Sequence, residues 1–250
     1  MANPLPPPGQ KAAYVREMFG RIAGHYDLMN RLMTLGRDQV WRRFTVAQAL
    51  HPPLASATEG KGDKQWRVLD VATGSGDLAF EVLRQKPDAQ VVGLDFVPEM
   101  LMMAQRKGFG VEITPYLMAG DALRLPFSDC TFHSVVTGFA LRNVTDIPAA
   151  FAEMARVTRR GGRVACLEIA KPRLPLFSRL FAFYFYRLVP LLGEWVSGEQ
   201  LAYTYLPHSL TAFLTPDEIV KVMEDTGWYE VSYRRLMFGT VAVHSGIRAC

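Results

Sequence analysis

The chain has 250 residues and a mass of 28.0 kDa, with 49% apolar and 21% charged side chains. That is the composition of a packed globular protein, and it excludes a disordered or fibrous one. A net charge of +4 and a pI near 9.0 favour acidic ligands or surfaces but fall short of a nucleic-acid footprint, so no nucleic-acid partner is expected.

The first eleven residues, MANPLPPPGQK, lack an apolar signal core and read as a disordered Pro-rich tail. Residues 12–250 read as one domain in four parts. In the first, an N-terminal helical cap over 12–50, Tyr14, Met18, Ile22 and Tyr26 form one apolar stripe. Val40, Phe44 and Ala47 form a second, with Gly36 and the cap-like Asp38 between them. The stretch HPPLASATEGKGDKQ, 51–65, has no periodicity and reads as a loop.

Strand and helix signals then alternate through a core at 66–170. Strands are expected at 67–71, 90–94, 113–118, 134–137 and 163–169. Helices are expected at 77–85, 98–107 and 147–158, the last closed by Arg159-Arg160-Gly161-Gly162. This alternation predicts an α/β fold, a parallel sheet with helices on both faces. An apolar insertion at 171–213 interrupts it. Arg179 and Arg187 break up its most apolar run, 174–196, and Pro190 is expected to end it before it could span a bilayer. A helix lying at a membrane surface fits that run better. In 214–250, Thr215 with Pro216, Asp217 and Glu218 starts a last helix, and 230–236 with 239–244 reads as a closing antiparallel hairpin, making seven strands. Cys130, Cys166 and Cys250 have no paired spacing and no CxxC. Neither disulfides nor a metal site is expected, and a reduced cytoplasmic compartment is the simplest reading.

Gly74-Ser75-Gly76-Asp77-Leu78-Ala79 matches the dinucleotide fingerprint G-x-G-x-x-A, and Asp95 ends the second strand about 20 residues on, placed for a ribose hydroxyl pair. Spacing alone fits a dinucleotide oxidoreductase and an S-adenosylmethionine methyltransferase equally. Charge separates them. A pyrophosphate brings about two negative charges, which Asp70 and Asp77 would repel in a partly desolvated crevice. S-adenosylmethionine brings a sulfonium and an ammonium, which carboxylates attract. Cofactor contacts are therefore expected at Asp70, at the turn glycines Gly74 and Gly76, at Asp95, and at Asp121 after the third strand. Asp77 also reads as a helix N-cap, and Asp121 as an Asx-turn residue.

Three further segments narrow the reading: Tyr26-Asp27-Leu28-Met29-Asn30, the GFALRNVTD of 138–146, and Gly161-Gly162-Arg163. They resemble the ubiquinone/menaquinone biosynthesis C-methyltransferases, the UbiE/MenG type, as do Gly93-Leu94-Asp95, the GDALRLPF of 120–127 and the closing GTVAVH of 239–244. The resemblance runs in order from Val15 to the C-terminus. It departs at Thr34 and Asp38, where Ser and His are usual, at Ala140 for Gly, at Arg159-Arg160 for Lys-Pro, and at Ala170 for Ser.

The resemblance implies a Rossmann-like class I methyltransferase using S-adenosylmethionine to convert demethylmenaquinol to menaquinol. Methylation of 2-methoxy-6-polyprenyl-1,4-benzoquinol on the ubiquinone route is the alternative. It further implies cofactor contacts at Ser75, at Asp95 with Phe96 beside it, at Asp121 with Ala122, and at Gly138. The helices carrying Tyr26 and Asp27 would fold over the cofactor, and the insertion would help form the quinone pocket.

Methyl transfer to a ring carbon is an in-line displacement, helped when a neighbouring quinol hydroxyl loses its proton and pushes charge onto that carbon. Arg142 is the leading candidate to stabilise the phenolate, with a loop-fixing salt bridge as its structural alternative. His244 is the candidate base, and Tyr203 the candidate to orient the ring, against packed roles for both. Phe177, Leu180, Phe181, Phe183, Tyr184, Phe185 and Leu188 offer an apolar face to a polyprenyl tail or to a second subunit of a homodimer. Arg173, Arg179 and Arg187 favour a peripheral position at the inner face of the cell membrane. The rival classes are a dinucleotide oxidoreductase and a non-enzymatic cofactor-sensing or membrane-bound protein on the same fold.

Overall fold

A computed structural model of the chain describes residue 6 and residues 9–51, 65–211 and 213–249. The expected tail lies largely, and the 51–65 loop almost wholly, outside them. The strands are β1 (Arg67–Val71), β2 (Gln90–Asp95), β3 (Tyr116–Ala119), β4 (Phe132–Gly138), β5 (Thr158–Ile169), β6 (Trp228–Leu236) and β7 (Val241–Arg248). They form one sheet in the order β3-β2-β1-β4-β5-β7-β6, parallel except for β7.

Alternation along the strands divides their side chains between two cores. Leu69 and Val71 of β1, with Val135 and Val164, pack on Phe151 and Met154 of α6 (Ile147–Val157) and on Ile219 and Met223 of α10 (Pro216–Asp225). Val68, Val91, Val136 and Ala165 face α3 (Asp38–Ala49) and α4 (Asp77–Gln85), meeting Val46, Ala49, Leu78 and Val82. Burying a side chain of this kind contributes about 1.5–3 kcal/mol. The chain leaves β1 in opposite directions to reach β2 and β4, which opens a crevice at the strand ends where ligands of such sheets bind. Above it sit α1 (Lys11–Ile22) and α2 (Tyr26–Thr34), with α5 (Pro98–Lys107) beside them.

Several local expectations give way to longer-range packing. Val40 and Ala47 are exposed, and α3 buries Asp38, Trp41, Arg42, Thr45, Val46 and Ala49 instead. Two charged residues can lie on that face because Asp38 and Arg42 pair with each other. The strand expected from residue 113 begins at Tyr116, and Ile113 is exposed. The Arg-Arg-Gly-Gly turn is absorbed into β5, where pairing jumps from Phe132–Thr158 to Ser134–Arg163 as a bulge.

Pro190 does not break the apolar run. Pro175–Val196 is one helical stretch of 22 residues. It comprises α7 (Pro175–Phe183), a π turn (Tyr184–Leu188) and the first part of α8 (Val189–Ser197). The wider π turn just before Pro190 relieves the clash a proline ring makes with the preceding turn. By length and composition, with a mean hydropathy of 1.2, the stretch is apolar enough to cross a membrane, and little of it is buried. Its inner side, including Phe185 and Val189, packs on α1 and on α9 (Gln200–Thr211).

The α8–α9 contact depends on a missing side chain, since a Cβ on Gly193 would lie 2.2 Å from Tyr203 Cδ2. Gly193→Ala should therefore lower the unfolding free energy by about 1–3 kcal/mol through overpacking, although alanine is the better helix former. Urea denaturation would show it, and an unchanged midpoint would mean that the two helices are free to separate.

Candidate active site

Six of the nine residues expected to hold a cofactor line one cleft at the ends of β1, β2 and β4. Gly74, Asp95, Phe96, Asp121, Ala122 and Gly138 all line it, joined from above by Val15 and Phe19 of α1 and Tyr26 of α2. Asp95 is held from both sides: Oδ2 accepts from Gly74 N at 2.8 Å and Oδ1 from Val97 N at 2.9 Å. Burial pushes its carboxyl up, and these backbone N–H groups oppose that shift and hold both oxygens in place. Asp121 Oδ1 accepts from Leu123 N at 2.9 Å, so the Asx turn and the cleft use the same carboxylate. Asp95 and Asp121 are the only charged side chains in the cleft wall among the described residues, with no Lys or Arg. An acid-lined cleft without a cation suits a sulfonium nucleoside and repels a pyrophosphate.

The two acids flanking the glycine turn act differently from the expectation. Asp70 points beneath the turn, where its Oδ2 accepts from Thr73 Oγ1 at 2.6 Å and from Ala79 N at 3.0 Å. It pins the start of α4 and does not line the cleft. Burial pushes its carboxyl from 3.8 to about 7, with those two hydrogen bonds opposing. Asp77 is occupied by Lys107 at 2.5 Å and Arg42 at 3.0 Å. Against the cost of burial, these two cations hold it below the usual carboxylate range.

Ser75 is buried and donates to Asp27 Oδ1 at 2.5 Å, and Lys107 Nζ reaches Asp27 Oδ2 at 2.8 Å. Gly76, with φ 82°, turns the chain into α4. Ser75 and Gly76 thus lie outside the cleft wall and fasten the cap helices to the turn. The electrostatic reading of the cofactor survives, but Asp95 and Asp121 carry it, because Asp70 and Asp77 are spent on the protein.

A second, larger cavity of about 720 Å³ adjoins the cleft. Phe19, Tyr26, Phe139 and Asn143 line both and form the partition between them. The walls are mostly apolar, drawn from α1, α2 and the insertion. Arg142 and Tyr203 line this cavity, as the sequence suggests. Arg142 Nη1 donates to Glu168 Oε2 at 3.1 Å, while Glu168 Oε1 accepts from Leu141 N at 2.7 Å. Burial pushes the Glu168 carboxyl up, with Arg142 opposing it. The pairing fixes the guanidinium at the cavity wall and leaves its Nε without a partner among the described residues.

His244 is not part of either site. It is fully buried on β7 against Pro216, whose carbonyl lies 3.2 Å from Nε2, and beside the Tyr233 ring. Burial lowers its pKa from 6.5 to about 4. A neutral imidazole walled off on the α10 side of the sheet cannot reach a proton in the cavity.

The structure adds Asn30, Asn143 and Tyr205 to the cavity wall. Asn143 Oδ1 and the Tyr205 hydroxyl are buried without partners among the described residues, a costly condition unless a ligand satisfies them, and the Asn30 amide has only the Tyr26 side chain beside it. Asn30 was legible in principle, since it stands four residues after Tyr26 and so shares its helix face. Asn143 directly follows Arg142. Tyr205 carried no sequence signal that set it apart from core packing.

Fold and acid-lined cleft together define an S-adenosylmethionine-dependent methyltransferase of class I. The chain belongs to the ubiE/COQ5 methyltransferase family, whose model matches residues 8–248. It is 47% identical over 246 residues, 98% of each chain, to the demethylmenaquinone methyltransferase of Roseiflexus castenholzii. It is 42% identical to that of Deinococcus radiodurans, again with 98% of each chain covered. Among solved structures it is similar to a SAM-dependent methyltransferase of Thermotoga maritima, with a TM-score of 0.63 at 16% identity, covering 93% of this chain and 99% of the other.

Two outcomes check the site. Asp95→Ala should raise the Kd for S-adenosylmethionine by about 10- to 100-fold, the worth of hydrogen bonds to a charged group, measured by calorimetry; unchanged affinity would remove Asp95 from the cofactor site. Asp70 holds its proton more tightly folded than unfolded, so stability should fall as pH rises from about 4 to about 7. Asp70→Asn should lack that fall, and parallel pH profiles of denaturation midpoint would refute the assignment.

Proposed function

We propose that this chain transfers a methyl group from S-adenosylmethionine to the ring carbon of demethylmenaquinol, giving menaquinol. One observation carries the reading: an acid-lined cofactor cleft opens, across a partition of Phe19, Tyr26, Phe139 and Asn143, into a large apolar cavity with polar groups beside that partition. A quinol with a polyprenyl tail has the same division, a polar head on a long apolar chain. The relatives' names point to the same substrate.

Bound in the cleft, S-adenosylmethionine supplies an electrophilic methyl on a cationic sulfur. Asp95 and Asp121 would hold its ribose hydroxyls and adenine amino group, in a cleft that shares the partition with the apolar cavity. On the cavity side, Asn143 Oδ1 is free to accept from a quinol hydroxyl, with the Asn30 amide and Tyr26 beside it. The Arg142 guanidinium, held by Glu168, stabilises negative charge on the hydroxyl oxygen next to the reacting carbon. That charge makes the ortho carbon nucleophilic. Per turnover one C–S bond breaks, one C–C bond forms, and one proton, that of the ring carbon, is released. The apolar walls exclude water from the methyl donor.

The polyprenyl tail is insoluble in water, so the protein works as a peripheral protein at the inner face of the cell membrane. Mass analysis after incubation with methyl-labelled S-adenosylmethionine and reduced demethylmenaquinone should find one added labelled methyl; no addition would overturn the reading. Arg142→Ala should lower kcat by about 10²- to 10³-fold, the usual worth of one oxyanion-stabilising donor, with cofactor Kd unchanged. If cofactor binding were lost instead, Arg142 would belong to the other site.

A further inference from the structure

Three apolar residues on the protein surface hold a backbone conformation that suits glycine. Leu35 (φ 52°), Met237 (φ 46°) and Phe238 (φ 54°) are all left-handed, a strained choice for L residues. Leu35 ends α2 at the position where glycine is the usual residue. In water each is unfavourable twice, once for its backbone and once for its exposed side chain: Leu35 is 85% and Phe238 69% exposed. The two turns lie far apart in sequence, yet Leu35 and Met237 both line the mouth of the 720 Å³ cavity, and Phe238 packs on Phe177 of its wall at 5.2 Å.

The outer side of the insertion continues this surface. Leu176, Leu180, Phe183, Leu188, Leu191 and Trp195 are all exposed, and Trp195 is 85% exposed. The π turn makes them one stripe. An uninterrupted α-helix would carry Leu188 and Trp195 round from the face of Leu180 and Phe183, and the wider turn brings them back into line with it and with Leu191. The stripe extends for about 28 Å at 1.5 Å per residue.

Its charges are mainly positive, with Glu194 beside Trp195 the one acid within the stripe. Between residues 175 and 188 the only charged side chains are Arg179 and Arg187, and between 28 and 37 only Arg31 and Arg37, all four exposed. Arginines with apolar stems beside an apolar stripe match an anionic bilayer, with heads at the phosphates and stripe in the acyl boundary.

We infer that this face, the cavity mouth with the α7–α8 stripe, docks on an anionic lipid bilayer, so that the cavity opens directly into the lipid. The inference rests on the reading of the cavity as the site of a polyprenylated quinol, and it fixes which surface meets the membrane. The strained rim residues are then solvated by hydrocarbon, and a tail can pass into the cavity without crossing water.

The test uses the full chain with vesicles of equimolar phosphatidylglycerol and phosphatidylcholine, and with pure phosphatidylcholine. Binding is expected to the anionic vesicles, weakened by salt, with a blue shift of tryptophan emission. Trp195 is the exposed reporter, since Trp41 and Trp228 are buried and Trp66 half-buried. Arg179→Glu with Arg187→Glu, and separately Leu176→Ser with Trp195→Ser, should each lower the vesicle partition coefficient about tenfold or more. None of these four residues lines the cavity, so turnover of a tail-less quinol in solution should be unchanged.

A wild-type chain that stays in the supernatant with anionic vesicles overturns the inference. So does a dimer in light scattering that Leu176→Ser with Trp195→Ser converts to monomers, because the face would then join two copies. Vesicle binding that the variants abolish, with no methylation of either quinol, leaves the docking face standing and removes the proposed substrate.

Discussion

The cap helices reach both cavities only because a chain of charges ties them to the glycine turn. Asp38 and Arg42 pair inside α3, Arg42 extends to Asp77, Lys107 bridges Asp77 and Asp27, and Asp27 accepts from the Ser75 hydroxyl. The chain of contacts crosses four elements, and α2 supplies Tyr26 and Asn30 at its end. Leaving any one charge here without its partner would cost about 3–5 kcal/mol where the pair is buried. The same contacts neutralise the acids nearest the turn, which leaves Asp95 and Asp121 as the charged side chains of the cleft wall among the described residues.

The partition between the two cavities is built from single residues serving two purposes. Tyr26 and Phe19 descend from the cap, while Phe139 and Asn143 rise from the end of β4 and the segment after it. Phe139 is left-handed (φ 58°), held by its N–H bonded to Leu167 O at 2.7 Å, and its ring lies 5.9 Å below the Arg42 guanidinium. The charge chain that anchors the cap therefore also touches the partition. Arg142, directly before Asn143 in the turn after β4, takes its orientation from Glu168 on β5.

Much of this was legible in the sequence because it is local. The strand at 67–71, the helices at 77–85 and 98–107, and the Thr215 cap depend on periodicity and capping within a few residues, and they stand within a residue of the expected bounds. What the sequence could not show depends on partners far along the chain. Arg42 and Lys107 lie some 30 residues either side of Asp77, and their contact reassigns that acid. The buried face of α3 is rotated from the apolar stripe because an ion pair can be buried where a single charge cannot. His244 looked like a base until β5 and α10 closed over it. Asp95 and Asp121 could be placed at the cleft because the ends of parallel strands converge by topology, and Gly138 through the family resemblance. Asn30 and Tyr205 were not singled out, because an isolated polar residue shows where it faces only once its surroundings are known.

The apolar cavity has one further chemical property. Among the described residues its wall contains neither cysteine nor lysine. A quinone that still lacks its ring methyl is, in its oxidised form, an electrophile at that same carbon, and thiols and amines add to it readily. The wall's polar and sulfur groups include amide, phenol, guanidinium, hydroxyl, carboxylate and thioether, none of which adds to a quinone as readily as a thiolate or a free amine. Cys166, the nearby thiol on β5, is fully buried and its pKa is raised by that burial, which keeps it protonated. Among the described residues, the cavity wall thus keeps the two side chains most readily alkylated by an oxidised quinone away from the ring.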